Sequence, residues 1–194
     1  YGVDVYFFRN RLKINFDLFF ESRKDILIKR LSDPIITGYE SPAVNFGRVR
    51  NRGFELEVSW EGSIGSDFRY FISPGIAYNH NVIVEMDEVK PNEPYMAATG
   101  RPVGQFFGYE FFGFYNGNKT EDEYFEKYGR PFPDHGTALQ PGAVCYVDLN
   151  WDGIINGDDV HPVGYSNYPE YSANLSLGFS WKGLDVSVLF SGVT

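Results

Sequence analysis

Cysteine and basic residues are scarce in this sequence, and each shortage excludes a class of protein. Cys145 is the single cysteine among 194 residues, so no internal disulfide can form, and we expect a buried, inert thiol. Lysine and arginine total 17 against 26 aspartates and glutamates, which gives a formal net charge of −9. Because phosphate backbones are bound by clusters of lysine and arginine, we expect no nucleic-acid partner.

Long apolar runs are also missing. No segment reaches the roughly 18 consecutive apolar residues that a membrane-crossing helix requires. A transmembrane β-barrel remains possible, because its strands alternate apolar and polar residues and keep the mean hydropathy low. Helical patterns are few, the best being the acidic run from Thr120 to Tyr128. The chain starts without an initiator methionine and stops after a strand-like run, which we interpret as a fragment of a longer protein.

Aromatic residues and glycine are abundant and favour an all-β fold. The sequence holds 18 Phe, 14 Tyr and 21 Gly, residues that suit pleated surfaces, bends and turns. Apolar residues alternate with polar ones over 12–20, 54–60 and 171–181, and again over 184–190. The turn Lys182-Gly183 between the last two segments predicts an antiparallel hairpin.

The lengths of the predicted strands and loops fit a membrane-spanning β-barrel. The segment 171–181 spans 11 residues, and a tilted strand needs roughly 9–11 to cross a bilayer. Tight turns lie at one end of the strands, whereas long loops are predicted at 24–50, 83–105 and 116–167. This asymmetry is typical of outer-membrane barrels. Alternation alone leaves a β-sandwich with one solvated face equally open.

Three blocks of sequence carry a resemblance to a known family. They are Gly47-Arg48-Val49-Arg50-Asn51-Arg52-Gly53-Phe54-Glu55-Leu56, Gly104-Gln105-Phe106-Phe107-Gly108-Tyr109 followed by Gly113-Phe114, and Asp148-Leu149-Asn150-Trp151-Asp152-Gly153-Ile154-Ile155-Asn156. In order and spacing they resemble the SusC/RagA-type TonB-dependent outer-membrane transporters over nearly the whole chain. Each block is weak by itself, and the set is what indicates the family.

The resemblance implies a fold, a location and partners. It implies that residues 1–194 form the C-terminal part of a closed, 22-stranded antiparallel barrel in the outer membrane of a Gram-negative bacterium. It also implies import of oligosaccharides, or in some members peptides. A SusD-like surface lipoprotein would cap the mouth, and TonB would supply energy through an N-terminal part that this sequence does not show. Such a segment would supply barrel wall and extracellular loops, and no transport by itself.

The sharpest local motif fits a calcium-binding loop. Oxygen ligands are expected at positions 1, 3, 5, 7, 9 and 12 of a 12-residue loop, with glycine at position 6. Gly153 holds the glycine position, Ile154 would offer its backbone carbonyl, and Asp159 replaces the usual glutamate, which predicts weaker binding. The predicted structural Ca²⁺ ligands are Asp148, Asn150, Asp152, Ile154, Asn156 and Asp159. The alternative is a turn rich in Asp, Asn and Gly that needs no ion.

Other chemistry-bearing residues give weaker signals. His80, His135 and His161 are scattered, without metal spacing or a partnered nucleophile, and carboxylates such as Glu55 and Glu57 share one strand face. We therefore predict no catalytic residues and no enzyme. Aromatic faces stack on sugar rings, so loop tyrosines are candidates for contact with a substrate or a lid: Tyr95, Tyr124, Tyr128, Tyr165 and Tyr168.

Two functional hypotheses remain from the sequence. The first is a wall-and-loop segment of a SusC-like importer, whose apolar strand faces meet lipid. The second is a secreted, calcium-stabilised β-sandwich that binds carbohydrate through exposed aromatic residues, with its apolar faces packed against each other. The surroundings of the apolar strand faces distinguish the two.

Overall fold

A computed structural model describes residues 1–30 and 42–194, and a six-stranded antiparallel sheet dominates it. The sheet order is β1-β2-β3-β4-β9-β10, so sequence neighbours pair except where β4 meets β9. The strands are β1 Gly2–Phe7, β2 Leu12–Lys29, β3 Ala43–Ile64, β4 Phe68–Glu85, β9 Tyr171–Trp181 and β10 Leu184–Val193. The sheet is open in this chain, with β1 and β10 at its edges.

Three tight turns lie at one end of the sheet, which we call the short-turn end. They join β1 to β2, β3 to β4 and β9 to β10. In the last of them Lys182 and Gly183 both have positive φ, at 47° and 86°, as a type I′ hairpin turn requires. This confirms the predicted hairpin. The opposite end, which we call the long-loop end, carries the connections that are not tight turns.

The two faces of the sheet differ in chemistry, because side chains alternate along every strand. On the apolar face, aromatic rings form two rows. The upper belt, at the long-loop end, joins four strands through the contacts Phe16–Phe54, Phe54–Tyr78 and Tyr78–Tyr171, with centroids 6.4, 6.0 and 4.8 Å apart. The lower belt, at the short-turn end, consists of Phe8, Trp60, Tyr70, Phe68 and Phe179.

The length of β9 matches a membrane crossing. Strand β9 runs from Tyr171 to Trp181, about 33 Å along the chain at the usual rise per residue. Tilted by about 40°, such a strand spans roughly 25 Å, the height of the apolar band of an outer-membrane barrel. The opposite, polar face carries small and charged residues, including Asn15, Asp17, Glu55, Glu57, Ser73, Ser172, Asn174 and Ser176.

The strands at the long-loop end are longer than the sequence pattern predicted. The loop predicted at 24–50 has fewer residues than expected, because β2 continues to Lys29 and β3 begins at Ala43. Residues 31–41 of that predicted loop lie outside the described residues. A methyl group at Gly47 would lie 3.1 Å from Ile26 and 3.2 Å from Ile28. The lack of a side chain at Gly47 thus lets two isoleucines of β2 pack onto β3, and this contact extends the pairing beyond the upper belt.

The other two predicted loops contain regular structure. The region 83–105 begins inside β4, which ends at Glu85, and it contains the 3₁₀ helix Pro94–Met96. The region 116–167 contains helix α1, Asn118–Tyr128, which the acidic run had indicated, and the 3₁₀ helix Gly157–Asp159. Two small antiparallel sheets complete this part, made of β5 Gln105–Gly108 with β8 His161–Ser166 and of β6 Phe111–Phe114 with β7 Val144–Tyr146. We call residues 86–170 the loop unit.

The loop unit holds the best-buried side chains among the described residues. Tyr124 and Cys145 are fully buried and Val147 is 3% exposed, so the expected buried state of the Cys145 thiol is confirmed. Burial also raises the pKa of this thiol. None of the helices described is both long and apolar enough to cross a membrane.

Candidate functional site

Helix α1 is fixed to the loop unit through its inner face. Gly129 ends the helix in the left-handed conformation, with φ 66°, and its N–H donates to the carbonyl of Phe125, as glycine commonly does at helix ends. Near the other end, the Thr120 hydroxyl accepts from the N–H of Asn116 at 2.7 Å and donates to the carbonyl of Phe114. The helix therefore presents Tyr124 inward, where its ring packs against Phe112, Tyr128 and Phe132.

The acidic loop 148–159 lies directly against this helix. The N–H of Asp148 donates to the hydroxyl of Tyr124 at 3.2 Å, and Asp148 is 4% exposed. One carboxylate oxygen of Asp148 accepts from the N–H of Trp151 at 2.6 Å, and the other accepts from that of Gly153 at 2.7 Å. Trp151 and Gly153 both have positive φ. The first residue of the motif is thus a buried carboxylate around which the loop backbone turns.

The end of the loop is closed in the same way. Asp159 is fully buried, and its two carboxylate oxygens each accept from a backbone N–H, that of Leu149 and that of Asn156, at 2.8 Å. The Asn156 side chain in turn accepts from the N–H of Asp158 at 2.6 Å. Because Asp159 bridges both ends of the loop, the motif folds as a closed ring of hydrogen bonds.

Asp152 lies at the exposed centre of the loop. Its carboxylate accepts from the N–H of Ile154 at 2.9 Å and from the side-chain amides of Asn150 and Asn156 at 3.0 and 3.3 Å. These hydrogen bonds, the one from Ile154 foremost, lower the pKa of Asp152. The structure therefore places the six predicted ligand residues in one hydrogen-bonded loop, 148–159. They are Asp148, Asn150, Asp152, Ile154, Asn156 and Asp159.

Oxygen donors of this kind suit a hard cation such as Ca²⁺, but their arrangement here is that of a hydrogen-bonded turn. Within residues 1–30 and 42–194, no group of three or more His, Cys, Asp or Glu side chains converges so as to hold a metal ion. Each carboxylate oxygen of Asp148 and Asp159 accepts one of these hydrogen bonds and keeps a further lone pair, whereas Oδ2 of Asp152 accepts two. Calcium binding consequently stays a prediction, as does its alternative, a turn that needs no ion.

A second segment, residues 86–104, forms hydrogen bonds with the acidic loop. The Tyr95 hydroxyl donates to the carbonyl of Asp158 at 2.6 Å, and the Asn92 amide donates to the Asp158 carboxylate at 2.8 Å. Partial burial, together with nearby carboxylates of which Glu93 is the strongest, raises the pKa of Tyr95 to about 12. Tyr95 therefore stays protonated and acts as a hydrogen-bond donor to the loop.

Glu88 orders the same segment. Its carboxylate accepts from the N–H of Ala98 at 2.6 Å, and from the N–H and hydroxyl of Thr99 at 3.1 and 2.7 Å. Burial alone would raise the pKa of Glu88, but these hydrogen bonds outweigh it and lower the pKa. No pattern in the sequence indicates this role, because the partners lie 10 and 11 residues further along a segment without periodicity.

The five loop tyrosines differ in their availability to a ligand. Tyr124 is fully buried, so its candidacy for direct contact with a substrate or lid was wrong. Tyr95 and Tyr128 are half-buried in contacts with the loop unit. Tyr165 and Tyr168 are 79% and 57% exposed. These two are the tyrosines that a ligand can reach.

Tyr168 lines a polar pocket on the polar face at the long-loop end. The pocket has a volume of about 240 Å³, and its lining includes Asn51, Asn79 and Asn81 from two paired strands. The Asn81 side chain accepts from the N–H of Val103 at 2.7 Å, whereas the Asn51 amide oxygen is buried and has no hydrogen-bond partner among residues 1–30 and 42–194. Sequence reasoning missed this set, because asparagines on strands of the polar face look like solvated residues.

The three histidines are placed apart, as their sequence spacing predicted. His80 pairs with Glu170 at 2.5 Å and His161 with Glu110 at 3.1 Å. His135 accepts at Nε2 from the N–H of Tyr146 and donates from Nδ1 to the carbonyl of Pro133, both at 3.0 Å. No two of them share a site in these contacts. We therefore assign none of them a chemical role.

Comparison with known proteins decides the family. Residues 1–193 match the family described as TonB dependent receptor-like, beta-barrel. The chain belongs to this TonB-dependent receptor β-barrel family. The prediction from the three sequence blocks is thus confirmed, and so is an antiparallel barrel segment located in the outer membrane.

Named relatives agree with this assignment. TonB-dependent receptor P3 of Formosa agariphila is 25% identical over 97% of this chain and 19% of its own length. TonB-dependent receptor SusC of Bacteroides thetaiotaomicron is 23% identical over 81% of this chain and 15% of its own length. The chain therefore spans about a fifth or less of the length of these relatives.

Solved structures show the same fold. The RagAB peptide importer in its "closed-closed" state gives a TM-score of 0.69 at 23% identity, covering 99% of this chain and 20% of that one. Its "open-open" state gives 0.68 at 21% identity. The alternative of a secreted β-sandwich was wrong, since in the described residues the apolar face of the six-stranded sheet packs against no second sheet. The two aromatic belts on that face are those of a membrane barrel.

Proposed function

We propose that the protein imports an oligosaccharide or a peptide across the outer membrane, as a SusC-type transporter. The observation that carries this proposal is the contrast between the two sheet faces. The apolar face bears two aromatic belts, while the polar face bears serines, asparagines and carboxylates. A wall of this kind suits a barrel that surrounds a wet passage. Family membership supports import in general, and the substrate class is our proposal.

The partners are part of the same proposal. SusC and the RagAB importer are among the similar proteins, which supports a SusD-like surface lipoprotein as the lid and TonB as the energy source. The exposed tyrosines Tyr165 and Tyr168 lie on the loop unit at the long-loop end, where a lid would close. We assign no covalent chemistry to any residue of this chain, in keeping with a family of receptors and transporters.

A deletion strain tests the proposed import. The complete gene is deleted in its host, and growth is compared on defined oligosaccharides and on peptides as the limiting nutrient. We expect loss of growth on one class, with recovery when the intact gene is restored. A variant with Tyr168→Ala should grow more slowly on that class, whereas Phe125→Ala, at an exposed position of α1, should not. Unchanged growth of the deletion strain on both classes would contradict the proposal.

Affinity purification tests the lid. The complete protein, extracted in mild detergent with a tag, should retain one surface lipoprotein in a stable ratio. Removal of the loop unit, residues 86–170, should release that lipoprotein while the barrel remains in the membrane. Retention of the lipoprotein after this deletion would place the contact elsewhere.

We further propose that the acidic loop 148–159 binds Ca²⁺ as a structural ion. The oxygen chemistry of its side chains supports this, while the hydrogen-bonded ring supports stability without an ion. Calcium should protect the loop unit from proteolysis, and magnesium should do so less, because Ca²⁺ accepts a flexible shell of six to eight oxygens. Asp152→Ala should abolish the calcium effect, and Asp122→Ala, on the exposed face of α1, should preserve it. Equal protection with calcium and with chelator would show that hydrogen bonds alone hold the loop.

A further inference from the structure

Three arginines alternate along β3 immediately above the upper belt. Arg48, Arg50 and Arg52 share the parity of Phe54, and pairing is regular from Val49 to Glu57 against β4. Alternation therefore places Arg50 and Arg52 on the apolar face, on the long-loop side of the belt. In outer-membrane barrels the long loops are extracellular. The arginines thus project outward at the height of the outer-leaflet headgroups.

In the part of the chain that the structure describes, no side chain pairs with Arg50 or Arg52. Both residues are exposed, and neither has an ion pair or hydrogen bond to another side chain among residues 1–30 and 42–194. Arg48, in contrast, lies 3.7 Å from Glu85. The carboxylate of Glu170, which lies next to Arg52's neighbour His80, contacts the His80 ring nitrogen Nδ1 at 2.5 Å. Among the described residues, Arg50 and Arg52 therefore present two unpaired guanidinium groups on the same face of β3.

An amphipathic groove lies around these two arginines. It has a volume of about 530 Å³. Strand register sets Arg52 opposite Phe20 on one side and His80 on the other, and Arg50 opposite Ser22 and Val82. Phe20 is 69% exposed. Phe20, Val82 and Val84 thus form an apolar part of the groove beside the two arginines, and the lining also includes Glu21, Ser22 and Asn51.

We propose that this groove binds the phosphate-bearing headgroup of an anionic lipid of the outer leaflet. Guanidinium groups bind phosphate through paired, charge-assisted hydrogen bonds, and basic clusters at the headgroup level attract anionic lipids. Phe20 and Val82 would contact the first part of the acyl chains. An imported substrate is not the occupant, because the groove faces away from the polar face that lines the passage.

The test uses the complete protein inserted in lipid nanodiscs. Discs contain phosphatidylcholine with a minor fraction of a fluorescent phosphatidylglycerol, and enrichment of the anionic lipid around the protein is read by energy transfer from tryptophan. We expect Arg50→Gln with Arg52→Gln to reduce enrichment about fivefold per arginine. Arg50→Lys with Arg52→Lys should retain most of it. Arg69→Gln, which removes an exposed arginine from the polar face, should change nothing.

The outcomes separate the proposal from its alternatives. Equal enrichment in the wild type and the double glutamine variant would overturn it, as would an equal loss in Arg69→Gln. Lipid enrichment is also measured in inorganic phosphate and in chloride at the same ionic strength, and the two values are compared. Persistence of enrichment in phosphate supports a lipid headgroup site, whereas complete displacement by free phosphate would show a simple anion site and overturn the lipid assignment.

Discussion

The backbone N–H of Asp148 donates to the phenol oxygen of Tyr124 across a distance of 3.2 Å, in a part of the loop unit from which solvent is excluded. This contact joins helix α1 to the acidic loop, two segments separated by 24 residues. Asp148 then holds the loop backbone through Trp151 and Gly153. The position of the acidic loop at the long-loop end therefore depends on an aromatic residue of the helix.

The first prediction concerns this contact. Tyr124→Phe keeps the packing but leaves the N–H of Asp148 without its partner, and a buried donor of this kind costs about 1–3 kcal/mol. We expect faster hydrogen exchange across 148–159 in the membrane-inserted protein, measured by mass spectrometry. Tyr165→Phe, at a position 79% exposed, is the control and should leave exchange unchanged. Unaltered exchange in Tyr124→Phe would show that the ring packing alone positions the loop.

The second prediction concerns a close contact on the polar face. A methyl group at Gly178 would lie 2.5 Å from the carbonyl oxygen of Val186 and 2.6 Å from the ring of Phe71. Overpacking of this kind costs about 1–3 kcal/mol. Gly178→Ala should lower the amount of heat-resistant folded barrel on unboiled gels. Gly192→Ala serves as the control, since open space surrounds that position, and an equal loss in both variants would refute the role of the contact.

The third prediction concerns pH. Because the pKa of Glu88 is lowered in the folded state, its hydrogen bonds to Ala98 and Thr99 contribute stability above its ordinary pKa of 4.5. That contribution is lost as the pH falls through the lowered folded value. Exchange of the amides at 98 and 99, corrected for intrinsic pH dependence, should therefore accelerate on acidification below about 4.5. Glu88→Gln should show the faster exchange already at neutral pH, and Glu126→Gln, on α1, should not.

Much of the wall was predictable from the sequence, because alternation has a strict period and a local cause. The run from Tyr171 to Trp181 predicted β9 with its bounds, and Lys182-Gly183 predicted the turn. The extension of β2 and β3 beyond the upper belt was not predictable. It depends on Ile26 packing over Gly47, a contact between residues that no local pattern relates.

Less of the loop unit than of the six-stranded sheet was predictable from the sequence. The motif correctly grouped Asp148 with Asp159 in one closed loop, because its residues are local in sequence. The burial of Tyr124 and the bracing by Tyr95 depend on segments that lie 24 and 63 residues from their partners. Arg50 and Arg52 stand in the sequence block that carried the family resemblance, but their position on the apolar face followed only from the register between β2, β3 and β4.

The last prediction tests the assignment of the two faces directly. Leu175 lies on the apolar face of β9, midway between Tyr171 of the upper belt and Phe179 of the lower belt, and its neighbour Ser176 lies on the polar face. An arginine facing lipid at the bilayer midplane costs about 2–4 kcal/mol, whereas substitutions on the passage side mainly alter selectivity. Leu175→Arg should therefore reduce folded protein in the outer membrane, measured by unboiled gel mobility and surface labelling. Ser176→Arg, one residue away, should fold at near wild-type levels while changing uptake. If both variants fold equally well, or if Ser176→Arg is the more damaging, the apolar face does not meet lipid and the orientation of the wall is reversed.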